Sequence, residues 1–254
     1  VILSGLFFGG ISFMFIESMR LTNKVFNKLT IRAHYKAFLG GASLVFLTVL
    51  LGTTQYLGLG VDVIDNVLHG HSIVWYAFLI KILFTAITLG CGGSGGLVTP
   101  TFFIGATSGM LYGQFIGADP VIFAALGLVA MLSGTANTPI AATIMAVELF
   151  GTSLAPFATL ACVISFLFTG YRSAYPSQIL AMNKAPSIKV KTGNDMEDHE
   201  THLEFRTKRW LITGKNISQI FNLSPSKKRR RHLLITNPFD RPRALSKVKP
   251  KKEN

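Results

Sequence analysis

The chain has 254 residues and a formal net charge of +13, but that charge is unevenly spread. Residues 1–180 hold 7 Lys/Arg and 5 Asp/Glu, whereas residues 181–254 hold 18 and 7, so +11 of the net charge lies in the last 74 residues. So little charge over 180 residues excludes an ordinary soluble domain, and a basic excess confined to one end is no sign of a nucleic-acid partner.

Apolar runs follow one another from the first residue. Val1–Met19, Ala37–Leu57 and Ile73–Leu89 are long enough, or nearly so, to cross a bilayer core of about 30 Å. Leu97–Ile116, Val121–Met131, Ile140–Phe150 and Leu154–Phe168 come after them, several too short to cross alone. Short segments interrupted by Gly and Pro predict broken helices, which a membrane tolerates only where protein or a water-filled cavity covers the freed backbone. Val1 stands inside the first run with no Met or signal peptide before it, so a segment upstream is expected.

Charge orients these runs. Arg20, Lys24, Lys28, Arg32 and Lys36 fill the loop between the first two, and the positive-inside tendency places that loop and the basic tail in the cytoplasm. Gly58–His71, with Asp62 and Asp65 and no Lys or Arg, is then expected as an external loop. Gly5 and Gly9, and again Gly105, Gly109, Gly113 and Gly117, recur at four-residue intervals that let another helix approach closely. Cys91 and Cys162 sit in apolar surroundings and read as buried thiols rather than a disulfide framework. Lys81 is expected to snorkel or to find an internal partner, and Glu148 to bond to neighbouring backbone or hydroxyls, because an unpaired charge in an apolar helix is costly.

The segment Gly90–Pro100, GCGGSGGLVTP, carries the chemistry. Gly92, Gly93, Ser94, Gly95 and Gly96 can fold the backbone into a concave nest, and Thr99 and Pro100 read as the cap and first residue of the helix that follows. Free N–H groups at a helix start, with the positive end of its dipole, attract a small anion. A nucleotide loop would need Lys and Ser/Thr after the glycines, and here Leu97 stands there. A dinucleotide fingerprint would need a preceding strand and a later acid. By itself the turn reads equally well as an anion nest or as a hinge between helices. With no Lys or Arg inside it, an anion would be held by neutral dipoles, weakly enough to be released, which favours transit over catalysis.

The tail begins as a polar linker, Asn183–His202. Leu203–Gly214 has the pattern of a short hairpin, and the remainder lacks domain-sized periodicity and reads as disordered or peripheral. The run Lys227–Arg231 would attract anionic lipid at about 1 kcal/mol per basic residue, or else stand as a solvated charge run. His199 and His202 are spaced like metal ligands without a third nearby, so no metal and no cofactor is expected. Asn216 and Asn222 match the glycosylation pattern, which a cytoplasmic tail does not use.

Three segments in order resemble one known family. Gly92–Pro100 followed by Thr-Phe-Phe-Ile-Gly resembles the glycine-rich turn of CLC chloride channels and chloride/proton antiporters. Thr138–Glu148, TPIAATIMAVE, is similar to a later helix of that family, and Gly170–Leu180, GYRSAYPSQIL, to the start of its last membrane helix. The resemblance spans about residues 1–182. It implies an all-α membrane protein, the second inverted repeat of a CLC-type fold with broken, tilted helices, ending in a basic cytoplasmic tail at 183–254. It implies an anion, chloride or one like it, held by the turn through Gly96 and the backbone amides of Leu97 and Val98. The Tyr175 hydroxyl would join them, with Pro176 as first helical residue behind it; Tyr171 is the competing position. Val98 stands where the family often has Phe. The resemblance also implies a homodimer, with the first helix and those around Thr138–Phe150 and Ser153–Phe168 at the interface, and a channel or a proton-coupled antiporter rather than an enzyme. The gating and proton-carrying glutamates belong to the family's first repeat, outside this stretch, so residues 1–254 alone are expected not to transport. Two other readings remain: a non-transporting remnant, and a membrane-embedded enzyme using the turn for an anionic substrate.

Overall fold

The structure, a computed structural model, describes residues 1–175 and the backbone of residues 188–189 and 204–205. The chain divides into two units, Val1–Thr207 and Lys208–Asn254, and all described residues lie in the first. The expected helix from Pro176, the boundary at residue 182, the basic run Lys227–Arg231, the His199/His202 pair, the Asn216 and Asn222 patterns and the disorder expected of the tail fall outside the described residues.

Among the described residues eight helices follow in chain order: α1 (Ile2–Lys28), α2 (Ala33–Leu51), α3 (Val61–Leu68), α4 (Ala77–Gly90), α5 (Val98–Ile116), α6 (Pro120–Ala136), α7 (Pro139–Phe150) and α8 (Ala155–Thr169). Seven of them coincide with the seven apolar runs. The eighth, α3, lies inside the stretch expected as an external loop. Val63 and Val67, one turn apart, are buried against the bundle with Ile64 and Leu68 packed beside them, while Asp62 and Asp65 are exposed. The apolar face of α3 recurs only once over eight residues, too short a pattern to be seen among the flanking glycines.

Proline and the left-handed residues that follow helix ends punctuate the bundle. Pro120 and Pro139 sit in the first turns of α6 and α7, where their missing N–H costs nothing. Asn137, in the left-handed conformation at φ 57°, closes α6 and leaves only Thr138 before α7 begins. These two helices are the broken pair the short runs predicted. α1 and α2 are long and apolar enough to cross a membrane, and α4, α6, α7 and α8 are shorter apolar helices.

Small residues set the packing. α5 lies on α6 so closely that a Cβ at Gly105 would stand 2.5 Å from the Gly127 carbonyl oxygen and one at Gly113 2.7 Å from Pro120 Cα. One at Gly109 would run into the Phe123 carbonyl. Gly117 does not extend this ridge; it caps α5 at φ 67°. Gly5 and Gly9 seat α1 on α8, where a Cβ would meet Ile164 and Phe168 side chains at 2.9 and 2.8 Å. Two buried clusters result. The larger includes Phe8, Phe84, Phe103 and Leu126, and the smaller joins Ile11, Phe15 and Ile16 of α1 to Ile82, Ile104 and Met131. α2 is buried only at Gly40, which meets Cys91.

Among the described residues the regular structure is helical apart from one two-residue pairing. Ile188 and Lys189 run antiparallel to Phe205 and Glu204. Glu204 and Phe205 thus pair with a strand upstream, and the rest of the hairpin expected within Leu203–Gly214 falls outside the described residues.

Candidate anion site

The turn links the end of α4 to the start of α5. Backbone bonds from Cys91, Gly92 and Gly93 to Ile87, Leu89 and Thr88 finish α4 at 3.0, 3.1 and 2.9 Å. α5 then starts earlier than the sequence indicated: Leu97 is its cap and Val98 its first residue, so Pro100 is third rather than first. A proline fits anywhere in a first turn, because none of those N–H groups has a helical partner; Pro100 marked the turn without fixing its register. No side chain caps α5. The first bond of the new helix runs from Thr101 N–H to the Leu97 carbonyl at 3.1 Å, and the Thr101 hydroxyl donates to the same oxygen at 2.8 Å. Among the described residues the amides of Leu97, Val98 and Thr99 therefore have no acceptor.

The glycines of the turn have different reasons to be there. Gly92 adopts φ 90°, and a Cβ at Gly93 would come 2.5 Å from the Thr88 carbonyl oxygen. Both are demanded by the local backbone. Gly95 and Gly96 are not: the nearest atom to a Cβ at Gly95 is 3.8 Å away, and at Gly96 there is none within 4 Å. Ser94, Gly95, Gly96 and Val98 are exposed, Leu97 and Thr99 half-buried, and Pro100 buried.

Tyr175 shares a buried cluster with the end of the turn. It packs, half-buried, against the smaller cluster that also receives Leu97 and Leu89. Its segment is fastened to the end of α6. The Thr135 carbonyl accepts from the Ala174 amide at 2.9 Å and the Ser173 hydroxyl at 3.3 Å. The Ser173 oxygen accepts from the Tyr175 amide at 3.1 Å, and the Asn137 side chain donates to the Arg172 carbonyl at 2.9 Å. Asn137 and Ser173 are residues that sequence reading passed over. Asn directly before Thr-Pro, where a helix breaks, was the available signal, since Asn is among the few residues that tolerate the left-handed conformation. The Arg172 guanidinium lies over the Phe13 ring at 4.4 Å. Tyr171 is half-buried.

The charged residues of the apolar part divide. Lys81 is buried and donates to the carbonyls of Tyr56 and Gly58 at 3.1 and 2.7 Å, the internal partner expected. Glu148 is exposed on the last turn of α7, and its carboxylate has no hydrogen bond or ion pair among the described residues; being exposed, it has no buried charge to satisfy. Both cysteines are buried and free. No group of three metal-ligating side chains occurs among the described residues.

The family model for voltage-gated chloride channels matches residues 1–170. The chain belongs to the voltage-gated chloride channel (CLC) family. Among its relatives, a chloride/fluoride channel protein of Pseudomonas syringae is 33% identical over 190 residues, covering 72% of this chain and 42% of the relative. A voltage-gated ClC-type chloride channel of Citrobacter koseri is 31% identical over 65% of this chain and 42% of its own length. The crystal structure of a CLC-type fluoride/proton antiporter superposes with a TM-score of 0.67 at 28% identity, over 69% of this chain and 44% of that one. The chain thus spans less than half the length of these CLC relatives, as expected for one of two repeats. As a family member it is an integral-membrane protein, and the eight-helix fold is of CLC type.

Proposed function

We propose that this chain forms one wall of a pathway for chloride or a similarly small anion, held by the amides of Leu97 and Val98 beside Gly96 and by the Tyr175 hydroxyl. The observation that carries this reading is the uncapped start of α5 beside two glycines that packing does not require, with Leu97 and Tyr175 on one buried cluster. Uncapped N–H groups at a positive helix end bind an anion without a full opposing charge. Binding of that kind is weak enough for rapid release. Gly92, Gly93, Ser94, Thr99 and Pro100 shape the turn rather than touch the ion.

The chain acts as a channel or an antiporter and not as an enzyme. It works as a homodimer, and residues 183–254 form a cytoplasmic tail whose basic run meets anionic lipid. The relatives' names span chloride and fluoride, so flux is to be measured with both. In proteoliposomes of the full-length protein, Tyr175→Phe and Gly96→Ala should each weaken anion binding several-fold while leaving thermal unfolding unchanged. Unaltered affinity for both anions in both variants would remove this assignment.

A further inference from the structure

α1 has 27 residues, a length of about 40 Å at about 1.5 Å per residue, whereas a bilayer core is about 30 Å thick. The surplus lies at its C-terminal end. Met19 is the last buried residue of α1, and the next buried residue in the chain is Gly40 of α2. Two contacts fix the base of this stretch: Thr22 packs on Gly90 at the close of α4, and Gly40 on Cys91 just beyond it. The end of α1 and the start of α2 thus form a corner outside the packed bundle. We propose that this corner, residues 20–39, docks anionic phospholipid, with headgroup phosphates on Lys24, Lys28 and Arg32.

The charge there is of one sign. Arg20, Lys24, Lys28, Arg32 and Lys36 recur at every fourth position, and no Asp or Glu occurs from residue 18 to residue 61. Lys24, Lys28 and Arg32 are exposed and Lys36 is half-buried. The side chains of these four make no ion pair or hydrogen bond among the described residues. Lys24 and Lys28 share one face of α1, where like charges one turn apart repel. A row of this kind, with no acid interleaved, is stabilised by an external anion.

Apolar side chains set between the charges decide the class of partner. Leu21 and Val25, one turn apart on α1, are 62% and 52% exposed, and Tyr35 and Phe38 on α2 are 58% and 73% exposed. A soluble acidic partner or free phosphate gains nothing from them. A phospholipid lays its acyl chains on them while its phosphate meets the basic groups. Long Lys and Arg stems reach past apolar neighbours to hold their charge at headgroup level. At the other end of α4, away from this corner, Trp75 and Tyr76 are exposed just before the helix begins, as aromatics at the opposite bilayer boundary are. This inference needs neither the α5 assignment nor the basic run of the tail.

Phosphatidylglycerol with a photoreactive acyl chain, in proteoliposomes of the full-length protein, tests it, with phosphatidylcholine bearing the same chain as control. Peptide mapping gives the ratio of the two labels along the chain. Over residues 20–39 that ratio should exceed the ratio over α4 to α8 by about tenfold or more, since each basic residue near an anionic surface strengthens binding about fivefold. The excess should vanish in Lys24→Gln/Lys28→Gln/Arg32→Gln and survive in Lys24→Arg/Lys28→Arg. Equal ratios in the wild type overturn the inference, whether or not the triple variant folds. So does an excess that persists in a folded triple variant. An excess seen only once Asp195, Glu197, Asp198 and Glu200 are neutralised overturns it as well, by assigning the corner to that acidic stretch of the chain.

Discussion

The Ala174 amide donates to the Thr135 carbonyl at 2.9 Å, so the approach to Tyr175 is tied to the last turn of α6 and not to α8, from which it emerges. The Ser173 hydroxyl reinforces the tie, donating to the same carbonyl and accepting from the Tyr175 amide. Ser173→Ala removes both bonds. It should cost about 1 kcal/mol in stability and lower chloride affinity by a factor close to that of Tyr175→Phe, both read by calorimetry on the purified protein. Full affinity in Ser173→Ala would mean that Tyr175 is held by packing alone.

Gly93 and Gly96 should separate folding from binding. A Cβ at Gly93 meets the Thr88 carbonyl oxygen at 2.5 Å, so Gly93→Ala is expected to destabilise by about 1–3 kcal/mol. At Gly96 a Cβ meets nothing within 4 Å, so Gly96→Ala should melt like the wild type and show its effect only in anion titrations. Equal melting of the two variants would contradict the turn geometry.

The close seat of α5 on α6 predicts a second contrast. Gly109→Ala drives a methyl into the Phe123 carbonyl and should cost about 1–3 kcal/mol. Gly41, mid-helix in α2, has no atom within 4 Å of a Cβ; Gly41→Ala should be neutral or stabilise by about 0.5–1 kcal/mol. Unfolding in graded detergent compares them, and a Gly109→Ala protein as stable as Gly41→Ala would refute the interface.

Thiol labelling checks burial directly. Cys162 is fully buried, and Cys91 lies against Gly40 of α2. A maleimide should react with neither in the folded protein and with both after denaturation. Rapid labelling of Cys91 alone would show that α2 lifts away from the turn.

Residues 92–100 and the apolar runs were legible in the chain because each depends on neighbours only. Hydrophobic length and the order of three motifs were enough to read an integral-membrane protein of CLC type; of the basic residues expected to fill the first loop, only Arg32 lies between α1 and α2, the others being helical. The start of α5 was misjudged by two residues, because a first turn accepts proline at several positions. α3 was missed, because its apolar face repeats only once over eight residues.

What sequence by itself determined is therefore the class of the protein and the turn that carries its chemistry, since glycine content, proline placement and apolar length act locally. Tertiary structure alone decided which glycines serve the backbone and which leave open space, that Thr135 anchors the Ser173–Ala174 segment before Tyr175, and that Lys81 and Ser94–Gly96 line one cavity. Those relations join residues tens of positions apart, and nothing local in the chain encodes the distance between them.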